Sequence, residues 1–371
     1  MATGWPMKTT YANGDVYSAS DVNDITGTIN LLQTSTLSGA AGKNAVINGG
    51  MDIWQRGTSI SVSASTAPYT VDRWTLAAQA NQASTVSRQA TGDTTNLPTI
   101  QYCARVQRNS GQTGTGGMQF VQTFETVNSI RYAGQTVTLS FYARRGSNYS
   151  PTSNLLNVYG IAGTGTDQSR ASVGFTGETY WVNNQNATLT TTWQRFTFSG
   201  TVSATATQLA VYFAMTPTGT AGTNDYFEIT GVQLELGSAA TTFARSNGGG
   251  IQGELAACQR YYYRTTPSSP YARFAVGSVT STTFAQAVLK FPITMRVAPT
   301  ALEQTGTASN YALLSNLGVV VACSVVPAFD TSTIDSINIS FTTASGLTTG
   351  QATQALSNNN TTAYLGWSAE L

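Results

Sequence analysis

Histidine is absent from all 371 residues. Its absence removes the usual general base at neutral pH, the commonest metal ligand, and the partner that activates serine or cysteine in hydrolytic pairs. Charge is scarce too: charged residues make up 9% of the chain, against roughly 25% in ordinary soluble domains. With a formal net charge of +1, there is no electrostatic footprint for nucleic acid or for an anionic membrane. Cys103, Cys258 and Cys323 are odd in number, far apart and without a CxxC pair, so zinc and redox chemistry lack their signatures and buried free thiols are expected. No apolar run is long enough to span a bilayer, and the opening Met-Ala-Thr-Gly-Trp-Pro-Met-Lys lacks the basic start and apolar core of a secretory signal. Synthesis in a cytoplasm is the expectation, and sequons such as Asn186-Ala-Thr188 then carry no meaning.

What is present is 41% hydrophobic residues, enough for folded cores, under a surface of Thr, Ser, Asn, Gln and Gly. Such a surface suits β-rich proteins that work outside cells with many copies side by side. The length predicts two domains and a terminal extension. In the extension, Ser18-Ala-Ser-Asp21 resembles a capping box, and Val22, Ile25, Ile29 and Leu32 recur at helical spacing. They form either a seam between copies of the chain or the face of a helix docked on its own chain. A Gly-Ala linker at 38–42 closes this segment, residues 1–43.

Period-two alternation follows. Thr136–Ala143, Trp193–Ser199, Gln208–Ala214 and Phe227–Leu234 alternate apolar with polar residues and read as strands with one buried face each. Nothing between Asn44 and Ala244 reads as a long helix, so residues 44–246 are expected to form an antiparallel sandwich. A second linker at 245–250 marks the boundary. Beyond it, Phe284–Phe291, Gly318–Val326, Ser336–Thr342 and Ala363–Leu371 read as strands of a smaller β-domain over 247–371. The fold class is all-β. The glycine-rich loop Gly111–Gly117 lacks the GK[ST] ending and following helix of a phosphate loop, and reads as a hairpin connection.

The run Asn44-Ala-Val-Ile-Asn-Gly-Gly-Met-Asp-Ile-Trp-Gln-Arg-Gly57, with Tyr69-Thr-Val-Asp-Arg-Trp74, resembles the opening of the carbohydrate-binding-module-like jelly roll of bacteriophage tail-fibre and minor tail proteins. Thr192–Phe196 resembles that family's Trp-containing strand, Gly231–Gly237 its closing strand, and Phe243–Arg245 through Cys258–Tyr262 its junction to the next domain. Lys290–Thr300 and Trp367-Ser-Ala-Glu-Leu371 resemble its C-terminal domain, so the likeness spans most of 44–371. The resemblance implies a homo-oligomer, often a trimer, held to other virion proteins by its N-terminus and binding a host cell-surface glycan, without membrane insertion or a nucleic-acid partner. It places the protein on the virion, in the tail or on the head. Related sugar-binding jelly rolls often carry a structural calcium near the first and last strands, and Asp52 with Glu228 are the positions for it. The acidic pair expected in the closing strand is Thr230-Gly231 here. No other cofactor is implied.

A sugar presents apolar C–H faces and a rim of hydroxyls, so its site needs exposed aromatic planes flanked by amides or carboxylates. Glu178–Asn186 supplies both, with Tyr180, Trp181 and Asn183 as candidate carbohydrate-binding residues. Tyr180 and Trp181 are adjacent, so a strand points them to opposite faces. One in the core and the other at a contact between copies is the competing reading. Trp54, Trp74 and Trp193 lie within family-like strands and read as packing residues. Three consecutive aromatics at 261–263 cannot all enter one side of a strand, which makes Tyr262 a candidate for the interface between copies. Glycan hydrolysis needs two facing carboxylates and no histidine. The 17 acidic residues are scattered singly, so a binding protein without catalysis is expected ahead of a depolymerase, with a structural head fibre or connector as the other alternative.

Overall fold

The computed structural model describes residues 43–79, 83–246, 250–315 and 318–371. The apolar seam expected at Val22, Ile25, Ile29 and Leu32 lies outside these residues. The chain is all-β with antiparallel sheets. The first strands are β1 (Ser59–Val62), β2 (Thr75–Ala78), β3 (Ser84–Ala90), β4 (Tyr102–Arg108), β5 (Met118–Thr123) and β6 (Thr136–Arg145). They continue with β7 (Leu155–Gly163), β8 (Thr179–Thr188), β9 (Gln194–Thr201), β10 (Gln208–Met215) and β11 (Tyr226–Leu236). One sheet runs β1-β3-β4-β11-β6-β9 and the facing one β2-β5-β10-β7-β8.

Alternation builds the core between them: Leu76, Phe120, Leu156, Val158, Leu209, Val211 and Phe213 of the five-stranded sheet meet Val106, Leu139, Phe141, Ile229 and Leu234 of the six-stranded one. Trp74 stacks on Phe120 at 4.7 Å, and Phe141 meets Phe213 edge-on at 4.7 Å. The expectation of one buried face per strand fails for β10, whose eight residues are all buried, and for β11, which is buried on both faces from Phe227 to Glu235. β10 is the central strand of its sheet, and its outer residues Ala210, Tyr212 and Ala214 pack with Val121, Ile161 and Phe175 in a second apolar cluster. Phe175 belongs to the segment between β7 and β8, which folds back over part of the sheet.

Past the sandwich come α1 (Ile251–Gln259), β12 (Tyr262–Thr265), β13 (Arg273–Val279), β14 (Phe284–Lys290), β15 (Glu303–Gln304) and β16 (Tyr311–Ser315). The chain ends with β17 (Val320–Ser332), β18 (Ser336–Thr343), β19 (Ala352–Ser357) and β20 (Leu365–Ser368). β13-β14-β18-β17-β16-β19 close into a barrel around Ala285, Ala287, Leu313, Ile339 and Phe341, and β12-β20-β15 form a small sheet beside it. Closure removes the sheet edges that would otherwise invite aggregation. β17 runs through Pro327, where the sequence reading stopped its strand. The register of β17 against β18 slips between Val325 and Ala328, and proline is tolerated at such a bulge because no ladder bond is required of it.

The sandwich and the barrel side meet through charged groups stacked on tyrosines. Glu370 pairs with Arg73 and, at 3.5 Å, with Arg56. The Arg73 guanidinium lies 3.6 Å over the Tyr261 ring and that of Arg56 lies 3.5 Å over Tyr262. Tyr261 donates its hydroxyl to Glu125 at 2.8 Å, Arg260 pairs with the same carboxylate at 2.8 Å, and Arg296 reaches Asp167 at 3.3 Å. Tyr262 is therefore not a surface for another copy: it is fully buried within one chain, with its hydroxyl donated to Glu303 at 2.7 Å. The motifs that resemble a domain opening and a chain terminus thus converge on one internal junction.

Candidate functional site

The outer face of the five-stranded sheet combines aromatic planes with amides. Register places Tyr212 of β10 opposite Tyr159 of β7 and Val121 of β5 in one row. The Tyr159 and Tyr212 rings stack at 4.2 Å and 16°, and Tyr180 of β8 lies 6.2 Å from Tyr159. Tyr159 donates its hydroxyl to Asn184 Oδ1 at 2.7 Å, and Asn157 Nδ2 donates to Asn186 Oδ1 at 2.9 Å. The next row along the strands holds Ala77, Gln119, Ala214 and Asn157. Ala77 and Ala214 alternate there with the amide side chains of Gln119 and Asn157, beside the tyrosine row.

One end of this face is closed by the segment between β7 and β8. Arg170 lies 5.5 Å over the Tyr212 ring and pairs with Glu178 at 2.7 Å. Tyr180 donates its hydroxyl to the same Glu178, and that bond to a carboxylate raises the Tyr180 pKa. Burial, with Tyr159 beside it, raises that of Tyr212. Both phenols are held as neutral donors over the ordinary pH range. Asp167 anchors the segment by accepting from the Thr126 amide at 2.8 Å and pairing with Arg296 across the junction. The barrel side thereby helps to fix the rim of the face.

Of the residues predicted from sequence, Tyr180 is 43% exposed on this face, and Asn183 is exposed on β8. Trp181 is corrected: it lies in the sandwich core, turned inward because it follows Tyr180 on the strand. Its indole sits where a side chain at Gly160 would be. Gly160→Ala is therefore expected to cost about 1–3 kcal/mol of stability in thermal or urea unfolding, as overpacking of a filled core does. Asp52 and Glu228 are corrected as calcium positions. Glu228 is fully buried between Arg105 at 2.6 Å and Arg144 at 2.5 Å, while Asp52 pairs with Arg245 at 2.8 Å. Guanidinium groups already neutralise both carboxylates, and the described residues hold no group of three or more acidic or cysteine side chains that could bind a metal ion. The three thiols are free, buried and pushed upward in pKa by burial, which leaves them unreactive.

Asn184 and Asn186 lie in the segment 178–186 that the sequence reading singled out, whereas Tyr159, Tyr212 and Asn157 escaped it. The signal was present in the Gln208–Ala214 alternation, where one set of residues is aliphatic or Phe and the other includes Tyr212. Pairing it with Tyr159 required the strand order.

No family model matches the chain, and no curated protein sequence matches it. Solved structures similar to it include a structure described as a family 4 carbohydrate-binding module, 24% identical, covering 36% of this chain and 71% of that one at a TM-score of 0.26. A second is the N-terminal CBM22-1-CBM22-2 tandem domain of Paenibacillus barcinonensis Xyn10C, 10% identical over 89% of this chain and 98% of that one, TM-score 0.30. A third is the enzymatically active domain of tailspike protein 4 of bacteriophage CBA120, 13% identical, TM-score 0.31; the alignment covers 52% of this chain and 21% of the tailspike chain. Structural neighbours thus include carbohydrate-binding modules and a phage tailspike.

Proposed function

We propose that this chain is a non-catalytic, glycan-binding fibre protein of a bacteriophage virion, a tail fibre or minor tail protein that attaches to the host-cell surface. The observation that carries the binding reading is the partly exposed Tyr159, stacked on the buried Tyr212 and flanked by Asn157, Asn184, Asn186 and Tyr180 on the outer face of the sheet. A sugar ring laid against the Tyr159 edge meets aromatic carbon with its C–H face and amides with its hydroxyls. The carboxylates at this rim are already engaged, Glu178 by Arg170 and Tyr180, and Asp167 by Thr126 and Arg296. That favours recognition over the paired acid and nucleophile of a glycosidase.

The virion setting rests on the ordered sequence resemblance and on a polar, nearly uncharged composition. In that setting the chain is a homo-oligomer, a trimer, joined to other virion proteins through residues 1–43, and avidity between linked copies turns weak sites into firm attachment. Light scattering of the full chain is expected to give a trimer mass; a monomer at micromolar concentration contradicts the assembly. Binding to a glycan array and to intact host cells tests recognition. Tyr159→Ala is expected to lower affinity about 10-fold or more, equivalent to about 1.4 kcal/mol, with the melting temperature as a folding control. Unchanged binding in that variant would move recognition off this face, and release of reducing ends from host envelope would make the protein an enzyme.

A further inference from the structure

A cleft of about 520 Å³ opens beside the six-stranded sheet, between the loop that leads into β4, the Asp52 turn and the start of α1. Its size falls within the roughly 300–1,000 Å³ of small-molecule sites. Its lining includes Asp52, Arg245, Tyr102, Gln101, Thr99 and Ile251. Arg245 Nε donates to Asp52 Oδ2 at 2.8 Å, and the Asp52 side chain is only 7% exposed. Asp52 Oδ1 and the two terminal nitrogens of Arg245 have no partner among the described residues. Tyr102 is backed by the Arg88 guanidinium, 4.6 Å from its ring, and Ile251 is 48% exposed.

We propose that this cleft is a second binding site, for a neutral sugar unit with two adjacent hydroxyls. A single hydroxyl can accept from an Arg245 terminal nitrogen and donate to Asp52 Oδ1, and a neighbouring hydroxyl can repeat the pattern, which no apolar ligand satisfies. The charges of the Asp52–Arg245 pair cancel, so an anion meets the carboxylate and a cation meets the guanidinium; a neutral polyol meets neither as repulsion. Ile251 and the Tyr102 ring supply apolar surface for the C–H face. The outer face of the five-stranded sheet belongs to the other sheet of the sandwich, so the two sites use separate residues and this inference does not depend on the first.

The experiment is saturation-transfer NMR and titration of the full chain with methyl glycosides of glucose, galactose, mannose and N-acetylglucosamine, with methyl glucuronide as the charged comparison. At least one neutral glycoside is expected to bind saturably. Asp52→Asn is expected to weaken it about 10-fold or more, equivalent to about 1.4 kcal/mol, and Thr99→Trp, at an exposed loop position that cannot upset the core, is expected to do the same by filling the cleft. Tyr159→Ala should leave it unchanged. Absence of binding by every neutral glycoside, unchanged affinity in both cleft variants, tighter binding of the glucuronide, or loss in Tyr159→Ala alone would each overturn the proposal. Failure of polysaccharide binding at the Tyr159 face, with glycoside binding still lost in Thr99→Trp, would overturn only the earlier reading.

Discussion

Replacing Glu370 with alanine is expected to lower the unfolding free energy by about 3–5 kcal/mol, the usual cost of stranding one member of a buried ion pair. The Glu370 and Arg73 side chains are 3% and 2% exposed, so neither charge can turn to water when the other is removed. Burial by itself lowers the Arg73 pKa, and it takes the Glu370 carboxylate together with Tyr261, Tyr69 and Cys258 to turn the net direction upward. Without Glu370, Arg73 keeps its bond to the Thr123 carbonyl at 2.8 Å and its place over Tyr261, yet carries an uncompensated charge in the junction. Arg56 loses its 3.5 Å partner at the same time. The measurement is urea unfolding of wild type, Glu370→Ala and the paired replacement Arg73→Met/Glu370→Leu. The pair of apolar residues is expected to recover much of the loss, because it removes both desolvated charges together. A loss below about 1 kcal/mol in Glu370→Ala would show that the junction is as forgiving as a surface salt bridge.

The same junction marks the limit of what the sequence discloses. Period-two patterning was enough for β6, β9, β10 and β18, because each keeps an aliphatic or aromatic set on one side, and that set is what sandwich and barrel cores select. It was not enough for the outer side of β10, since burial there depends on a segment from another part of the chain folding back with Phe175. Pro327 ended a strand on paper that a bulge lets continue in space. Arg56, Arg73, Tyr261, Tyr262 and Glu370 could be noticed as motifs, but their meaning is a set of contacts spanning up to 314 positions, and no local rule joins them. The aromatic site failed for the same reason: Tyr180 stood out next to Trp181, whereas Tyr159 and Tyr212 become a platform only through the β7–β10 register.

Stability is expected to fall as pH rises from about 5 to 8, and Glu254 is the group responsible. It lies in the first turn of α1, fully buried, where it accepts from the Asn48 amide and, at 2.9 Å, from the Ser246 hydroxyl. Burial pushes its pKa up from 4.5 to about 7, aided by the charge of Asp52, while the two hydrogen bonds and Arg245 oppose the shift without cancelling it. Between those values the folded protein holds a proton that the unfolded chain has released, so raising the pH draws the equilibrium toward unfolding. The contribution is fully present below pH 4.5 and lost as pH passes 7, a swing of about 3 kcal/mol at 1.36 kcal/mol per unit. Asp72, raised by its own burial, acts with the same sign. In Glu254→Gln the amide can accept from Asn48 and donate to Ser246 without a charge to bury, so the slope between pH 5 and 8 should flatten and the variant should exceed wild type at pH 8. A slope that survives the substitution would assign the titration to another group. The bonds by which Glu254 ties α1 to the Asn48 turn and to Ser246 are accepted by its oxygens and favour the carboxylate, so the stability gained on protonation comes from relieving a buried charge and not from a firmer tie.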